Sequence, residues 1–131
     1  MPDPRVAVFL HSGDYDRVHQ GAAIAAAASS AGRPVEVFFF WWALRRLVDG
    51  GLAKVDLDPD LSHRFETRGY PTAATLLQAA RDTGHCRVFA CSASMEMLGL
   101  RPPELEPLVD SILGWNGILA RTEGVTDRFY L

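Results

Sequence analysis

The sequence predicts one α/β domain of flavodoxin-like type, three layers deep, with a five-stranded, mostly parallel sheet between helices. Three observations point there. Short apolar runs without polar alternation recur along the chain, as strands buried on both faces require. They are separated by stretches of helical period, and alternating strands and helices imply a parallel sheet joined by right-handed crossovers. The length of 131 residues fits a single domain over residues 1–131, and a chain of this size hides roughly two thirds of the surface it exposes when unfolded.

The first run, residues 5–10, ends in the polar turn His11-Ser12-Gly13-Asp14. An alanine-rich helix over 16–31 follows, with Val18, Ala22, Ala25 and Ala28 on one face and Gly32 placed to end it, so it can lie close to its sheet. Residues 34–40 form the second strand, which turns into a helix near Trp41 and Trp42 that Gly50 and Gly51 stop. Residues 52–70 show no sustained period and read as a long irregular segment or lid. Pro71 opens a helix carrying Ala73, Leu76, Leu77 and Ala80 at i, i+3, i+4 and i+7, and Gly84 closes it.

The third strand covers 87–91, a turn covers 92–94 and a brief helix 95–98, ended by Gly99. Pro102 starts a helix through about 109 with Leu105, Leu108 and Val109 inward. A fourth strand over 111–114, a short helix over 117–122 and a fifth strand over 127–131 complete the chain. In such sheets ligands bind beyond the carboxyl ends of the strands, where strand order reverses. With the order 2-1-3-4-5 that point falls between the 11–14 turn and the 91–94 turn.

Composition narrows the function. The formal charge of −3 and the absence of a Lys/Arg cluster argue against nucleic acid and anionic membranes as partners. The longest apolar run, 35–44, is far short of the roughly 20 residues that cross a bilayer, and the amino terminus lacks a basic segment followed by an apolar one. A cytoplasmic protein is expected. Cys86 and Cys91 lie on one strand and its exit, about 16 Å apart at ~3.3 Å per residue. They are expected as free thiols in a reducing compartment, and neither resolves the other. His19, His63 and His85 show no ligand spacing with each other or with either cysteine, so no metal site is expected.

Cys91 is the sharpest chemical candidate. A thiol at a strand exit facing a helix start meets unpaired N–H groups and the positive end of the dipole, which favour the nucleophilic thiolate; the alternative is a small buried hydrophobe ending a core strand. His11, on an adjacent strand in the expected order, would lie within reach of Cys91 as base or cationic partner. Asp14 caps the first helix or orients His11. Ser12 and Gly13 complete that turn, though Gly13 alone is a weak nucleotide signal. Ser92 supplies a hydroxyl, and Ser94 supplies a second or caps the next helix. Met95 borders the site, although it and Met97 read first as packing residues. Trp41, Trp42 and Trp115 stand near strand ends, where large rings wall a pocket or an interface.

The segment Val88-Phe89-Ala90-Cys91-Ser92-Ala93-Ser94-Met95-Glu96-Met97-Leu98-Gly99-Leu100, followed by Pro103-Glu104-Leu105, resembles the DsrE/DsrF-like family of sulfur-relay proteins, TusD type, in its peroxiredoxin-like branch. The likeness covers nearly the whole chain. It implies that Cys91 takes up sulfane sulfur as a persulfide from a donor protein and passes it to an acceptor, without metal or organic cofactor, in a trimer or hexamer. The membrane segments of some members of that branch are missing, and the Trp41-Trp42 pair is not a family hallmark. The alternative is a non-enzymatic oligomeric module that binds a small ligand or partner in a pocket of His11, Trp42, Cys91 and Trp115. Flavin or nucleotide binding ranks third, suggested only by the expected sheet order and the polar first turn.

Overall fold

In a computed structural model that describes residues 3–131, strands and helices alternate as expected. The strands are β1 (Asp3–Leu10), β2 (Val35–Phe39), β3 (Cys86–Cys91), β4 (Ser111–Leu113) and β5 (Val125–Tyr130). The helices are α1 (Tyr15–Ser30), α2 (Trp41–Val48), α3 (Pro59–Thr67), α4 (Ala73–Asp82), α5 (Ser92–Met97), α6 (Pro102–Leu105) and α7 (Trp115–Thr122). All strand pairs are parallel.

The strand order is β4-β3-β2-β1-β5, which corrects the expected 2-1-3-4-5. The reason lies in the strands themselves. Every residue of β2 is buried, and a wholly buried, almost wholly apolar strand at an edge invites aggregation. β2 takes the middle instead. The edges fall to β4, with only three residues, and to β5, which carries Thr126, Asp127 and Arg128.

Alternate residues of each strand face opposite layers. Val6, Val8, Leu10, Val35, Val37 and Phe39 pack against Val18, Ala22 and Ala25 of α1, Leu44 of α2 and Leu77 of α4. The other face holds Ala7, Phe9, Phe38, Phe40, Phe89 and Cys91 beneath Ile118 of α7. The in-register triplet Phe9, Phe38 and Phe89 stacks across it, with Phe38 5.2 Å from each neighbour and Tyr130 4.7 Å from Phe9.

Two glycines carry the packing of α1. A Cβ on Gly21 would stand 2.5 Å from Leu10 Cδ2, so only glycine lets the helix approach β1 this closely. Gly32 has φ +79° and ends the helix, with Arg33 N donating to Ala28 O at 3.0 Å.

The segment expected as irregular contains α3. Asp58 caps it by accepting from Leu61 N at 3.0 Å, and Pro59 begins it. No residue of α3 is buried, so the helix has no apolar stripe to announce it; half-buried Phe65 anchors it edge-on to Tyr15 and His19. Smaller corrections follow the caps. Thr72 caps α4, leaving Pro71 outside it, where its carbonyl accepts from His19 Nε2 at 2.9 Å. Helix α5 starts directly after Cys91, so residues 92–94 are its first turn and Ser94 does not cap it. Helix α6 stops at Leu105, well before residue 109. Met95 packs against the core, whereas Met97 is exposed.

Candidate functional site

In the observed order, β2 lies on one side of β1 and β5 on the other, so the chain reverses its direction across the sheet at the exits of β1 and β5. That is where an open α/β sheet offers its ligand crevice. A cavity of about 350 Å³ occupies the position. His11 N and Ser12 N donate to Leu131 O at 2.8 and 3.3 Å, knitting the two strand ends together, and Phe40 N donates to Leu10 O at 2.8 Å.

Aromatic rings form the walls. Trp115, the first residue of α7, stacks on Phe40 with centroids 5.1 Å apart and lies 6.3 Å from Phe9. Tyr130 closes the β5 side over Phe9. Trp41 closes the α2 side with φ +45°, a left-handed conformation that a bulky residue adopts only at a cost in strain. The rim is polar and basic: His11, Ser12 and Arg17 line it, and among the described residues no Asp or Glu does. The Arg17 side chain has no ion pair or hydrogen bond among the described residues, and its backbone N donates to Asp14 O at 3.1 Å.

The expected site residues divide into two groups. His11, Ser12 and Trp115 line this cavity. Trp42 does not, because consecutive helical residues diverge by about 100°; it lines a shallower groove with Gly13, Arg45, Arg46, Asp49 and Gly51. A Cβ on Gly13 would stand 2.9 Å from Trp42 Cβ, so Gly13 serves this close packing, and its carbonyl accepts from Arg46 Nε at 2.6 Å. Asp14 occupies the cap position of α1 without a capping bond from its carboxylate; Ser12 Oγ accepts from its backbone N at 3.1 Å.

Cys91 stands at the N-terminal cap of α5, as expected, but is only 2% exposed, within the apolar cluster of Phe38, Phe40, Phe89 and Ile118. It does not line the aromatic cavity. His11 is not beside it. β2 separates their strands, and two strand spacings come to about 10 Å, beyond hydrogen-bond reach. Ser94 is buried, Met95 packs on the opposite face, and half-buried Ser92 lies against Gly114, its Oγ 3.4 Å from where a Cβ there would be. The pocket expected from His11, Trp42, Cys91 and Trp115 is therefore formed by His11, Trp41, Trp115, Phe40, Tyr130 and Arg17.

Cys86 lies at the far end of β3, buried; burial pushes its thiol from 9.0 to about 11, against a lowering by nearby Arg81 and with a further raise from Asp110. Both cysteines are free thiols. Among the described residues no group of three or more His, Cys, Asp or Glu could hold a metal ion, and no helix is long and apolar enough to cross a membrane.

Neither protein-family models nor curated protein sequences match the chain. Solved structures do. The YchN protein of E. coli superposes with a TM-score of 0.64 at 14% identity, covering 100% of both chains. The fold is YchN-like. MTH1491 of Methanobacterium thermoautotrophicum, a protein of unknown function, gives a TM-score of 0.58 at 18% identity, covering 96% of this chain and 99% of its own. Both have DsrE/DsrF-like folds, so the family resemblance read from the Cys91 segment holds for the architecture. At these identities the YchN likeness is one of fold.

Proposed function

We propose that this chain is a ligand-binding α/β module that takes a planar small molecule at the exits of β1 and β5. The observation that carries this reading is the wall of near-parallel rings around the cavity of about 350 Å³, with Trp41 and Trp115 still 39% and 48% exposed. Half-exposed indoles beside an apolar floor gain by stacking on a flat partner. The His11 imidazole N–H and the Arg17 guanidinium favour a ligand with acceptor or anionic groups at its edge. The module is proposed to work as a homo-oligomer, a reading supported by exposed Leu119 on α7 and Phe129 on edge strand β5.

Titration with naphthoate, followed by tryptophan fluorescence, tests the reading. Saturable quenching that weakens at least tenfold in Trp115→Ala supports it. Quenching that is absent, or equal in the wild type and in Trp115→Ala, refutes it.

A second reading, sulfur relay through Cys91, is favoured by the thiol's place at the start of α5. The Cys91 thiolate would attack the outer sulfur of a donor persulfide; that S–S bond breaks, the donor thiolate leaves, and Cys91 holds the sulfur as a persulfide for an acceptor thiol, with no net oxidation. This requires the apolar cluster around Cys91 to open. Mass spectrometry after exposure to a persulfide donor separates the two: one added sulfur on Cys91 supports the relay, and none, together with unchanged naphthoate binding in Cys91→Ser, leaves the binding module alone.

A further inference from the structure

At the amino end of the sheet, on the face that α7 covers, the aromatic floor gives way to charge. Glu36, the one acid on β2, is only 6% exposed. Its Oε2 accepts from Arg121 Nε at 2.6 Å and pairs with Arg121 Nη2. Its Oε1 is buried and accepts no hydrogen bond; Arg5 Nη1 stands 3.9 Å from it. Arg5 directs its N–H groups to Arg121 O at 2.6 Å and Glu123 O at 2.9 Å. Arg87 stands opposite Glu36 in register on β3, exposed and without an ion pair among the described residues.

These groups line a cavity of about 250 Å³, with His85 at its edge. Among the described residues Arg87 and Arg121 set two guanidinium charges against the Glu36 carboxylate, a positive balance in a concave site. Guanidinium forks match tetrahedral oxyanions, and the carboxylate among them is an acceptor only.

We propose that this cavity binds a phosphate-class oxyanion that retains one proton. Its anionic oxygens take N–H donors from Arg87 and Arg121. Its P–OH donates to Glu36 Oε1, reached when the Arg5 arm, whose side chain is 31% exposed, swings aside. The carboxylate sets the selectivity: a phosphate group near its second ionisation, at about pH 6 for an ester, keeps a proton to donate. Sulfate has none, and its oxygens would face the carboxylate unpaired. The site lies at the opposite sheet end from the aromatic cavity and is independent of it.

Calorimetric titration at about pH 6, near that second ionisation, and at constant chloride compares inorganic phosphate, sulfate and glycerol phosphate. Phosphate binding at least tenfold tighter than sulfate is expected, together with at least a fivefold loss in Arg87→Met at unchanged thermal stability. Tighter binding of glycerol phosphate assigns the site to an esterified phosphate, and weaker or equal binding assigns it to the free ion. In Glu36→Gln the amide donates to sulfate and the preference collapses; if that variant does not fold, Arg87→Met and the comparison of anions decide. Equal affinity for phosphate and sulfate, or no binding of either, overturns the proposal.

Discussion

Arg121 and Glu36 form an ion pair that ties the last turn of α7 to the middle strand of the sheet. The carboxylate side chain is 7% exposed and the arginine 41%, so Arg121 reaches in from the surface to neutralise a buried charge, its guanidinium carbon 4.5 Å from the Phe89 centroid. Arg121→Ala is expected to destabilise by about 3 kcal/mol, because removing one partner strands the other. The double variant Glu36→Leu with Arg121→Met recovers most of that loss, since no buried charge remains. Urea midpoints check both; a double variant weaker than the single one would contradict the account.

Trp41→Gly separates stability from binding. Glycine tolerates φ +45° at no steric cost, whereas an L side chain there loses about 1–2 kcal/mol. With Trp41 already 39% exposed, the variant is expected to be as stable as the wild type or up to about 1 kcal/mol more so. Naphthoate affinity falls at least fivefold because one wall of the cavity is gone. Thermal unfolding and fluorescence titration on the same preparation report the two effects separately.

Gly21→Ala runs against helix propensity, which favours alanine by about 1 kcal/mol. The added methyl would stand 2.5 Å from a δ-carbon of Leu10, itself 1% exposed and unable to retreat. Overpacking wins, and a net loss of about 1–2 kcal/mol is expected. A rise in the denaturation midpoint would show that α1 can move off β1 freely.

Cys86 makes stability fall at alkaline pH. Its thiol ionises at 9.0 in the ordinary state and at about 11 when folded, chiefly through burial. Between these values the unfolded chain has lost the proton and the folded chain keeps it, so the unfolded state binds fewer protons and stability drops as pH rises. The loss reaches about 2–3 kcal/mol once both states are ionised. Cys86→Ala removes this part of the slope, which a pair of denaturation series from pH 8 to 11 would reveal.

The strand positions were legible because unbroken apolar runs and their glycine and proline stops are local signals. Residues 5–10, 34–40 and 87–91 lie within one residue or two of β1, β2 and β3. Helix α3 escaped because no residue of it is buried, which leaves only the Asp58 cap and Pro59 as a signal. The edge strands could have been found: β4 is short and β5 is polar, whereas Val35, Val37, Phe38 and Phe39 needed cover on both sides.

The candidate site was legible in part for the same reason. His11, Ser12 and Trp115 are at chain positions where elements end, and the sequence marks those ends. Their partners Arg17 and Tyr130 come from α1 and β5 and Phe40 from the junction of β2 with α2, and Trp41 displaced Trp42 through the helical turn that separates neighbours.

By itself the sequence determined which segments become strands and most of those that become helices, and that Cys91 stands where a strand meets a helix, because short-range burial patterns and caps dictate these. Only the tertiary structure decided that β2 separates Cys91 from His11, that the thiol is packed under apolar side chains, and that the crevice opens between β1 and β5. Strand order depends on which edges can bear water, a competition among all five strands at once that no single segment records.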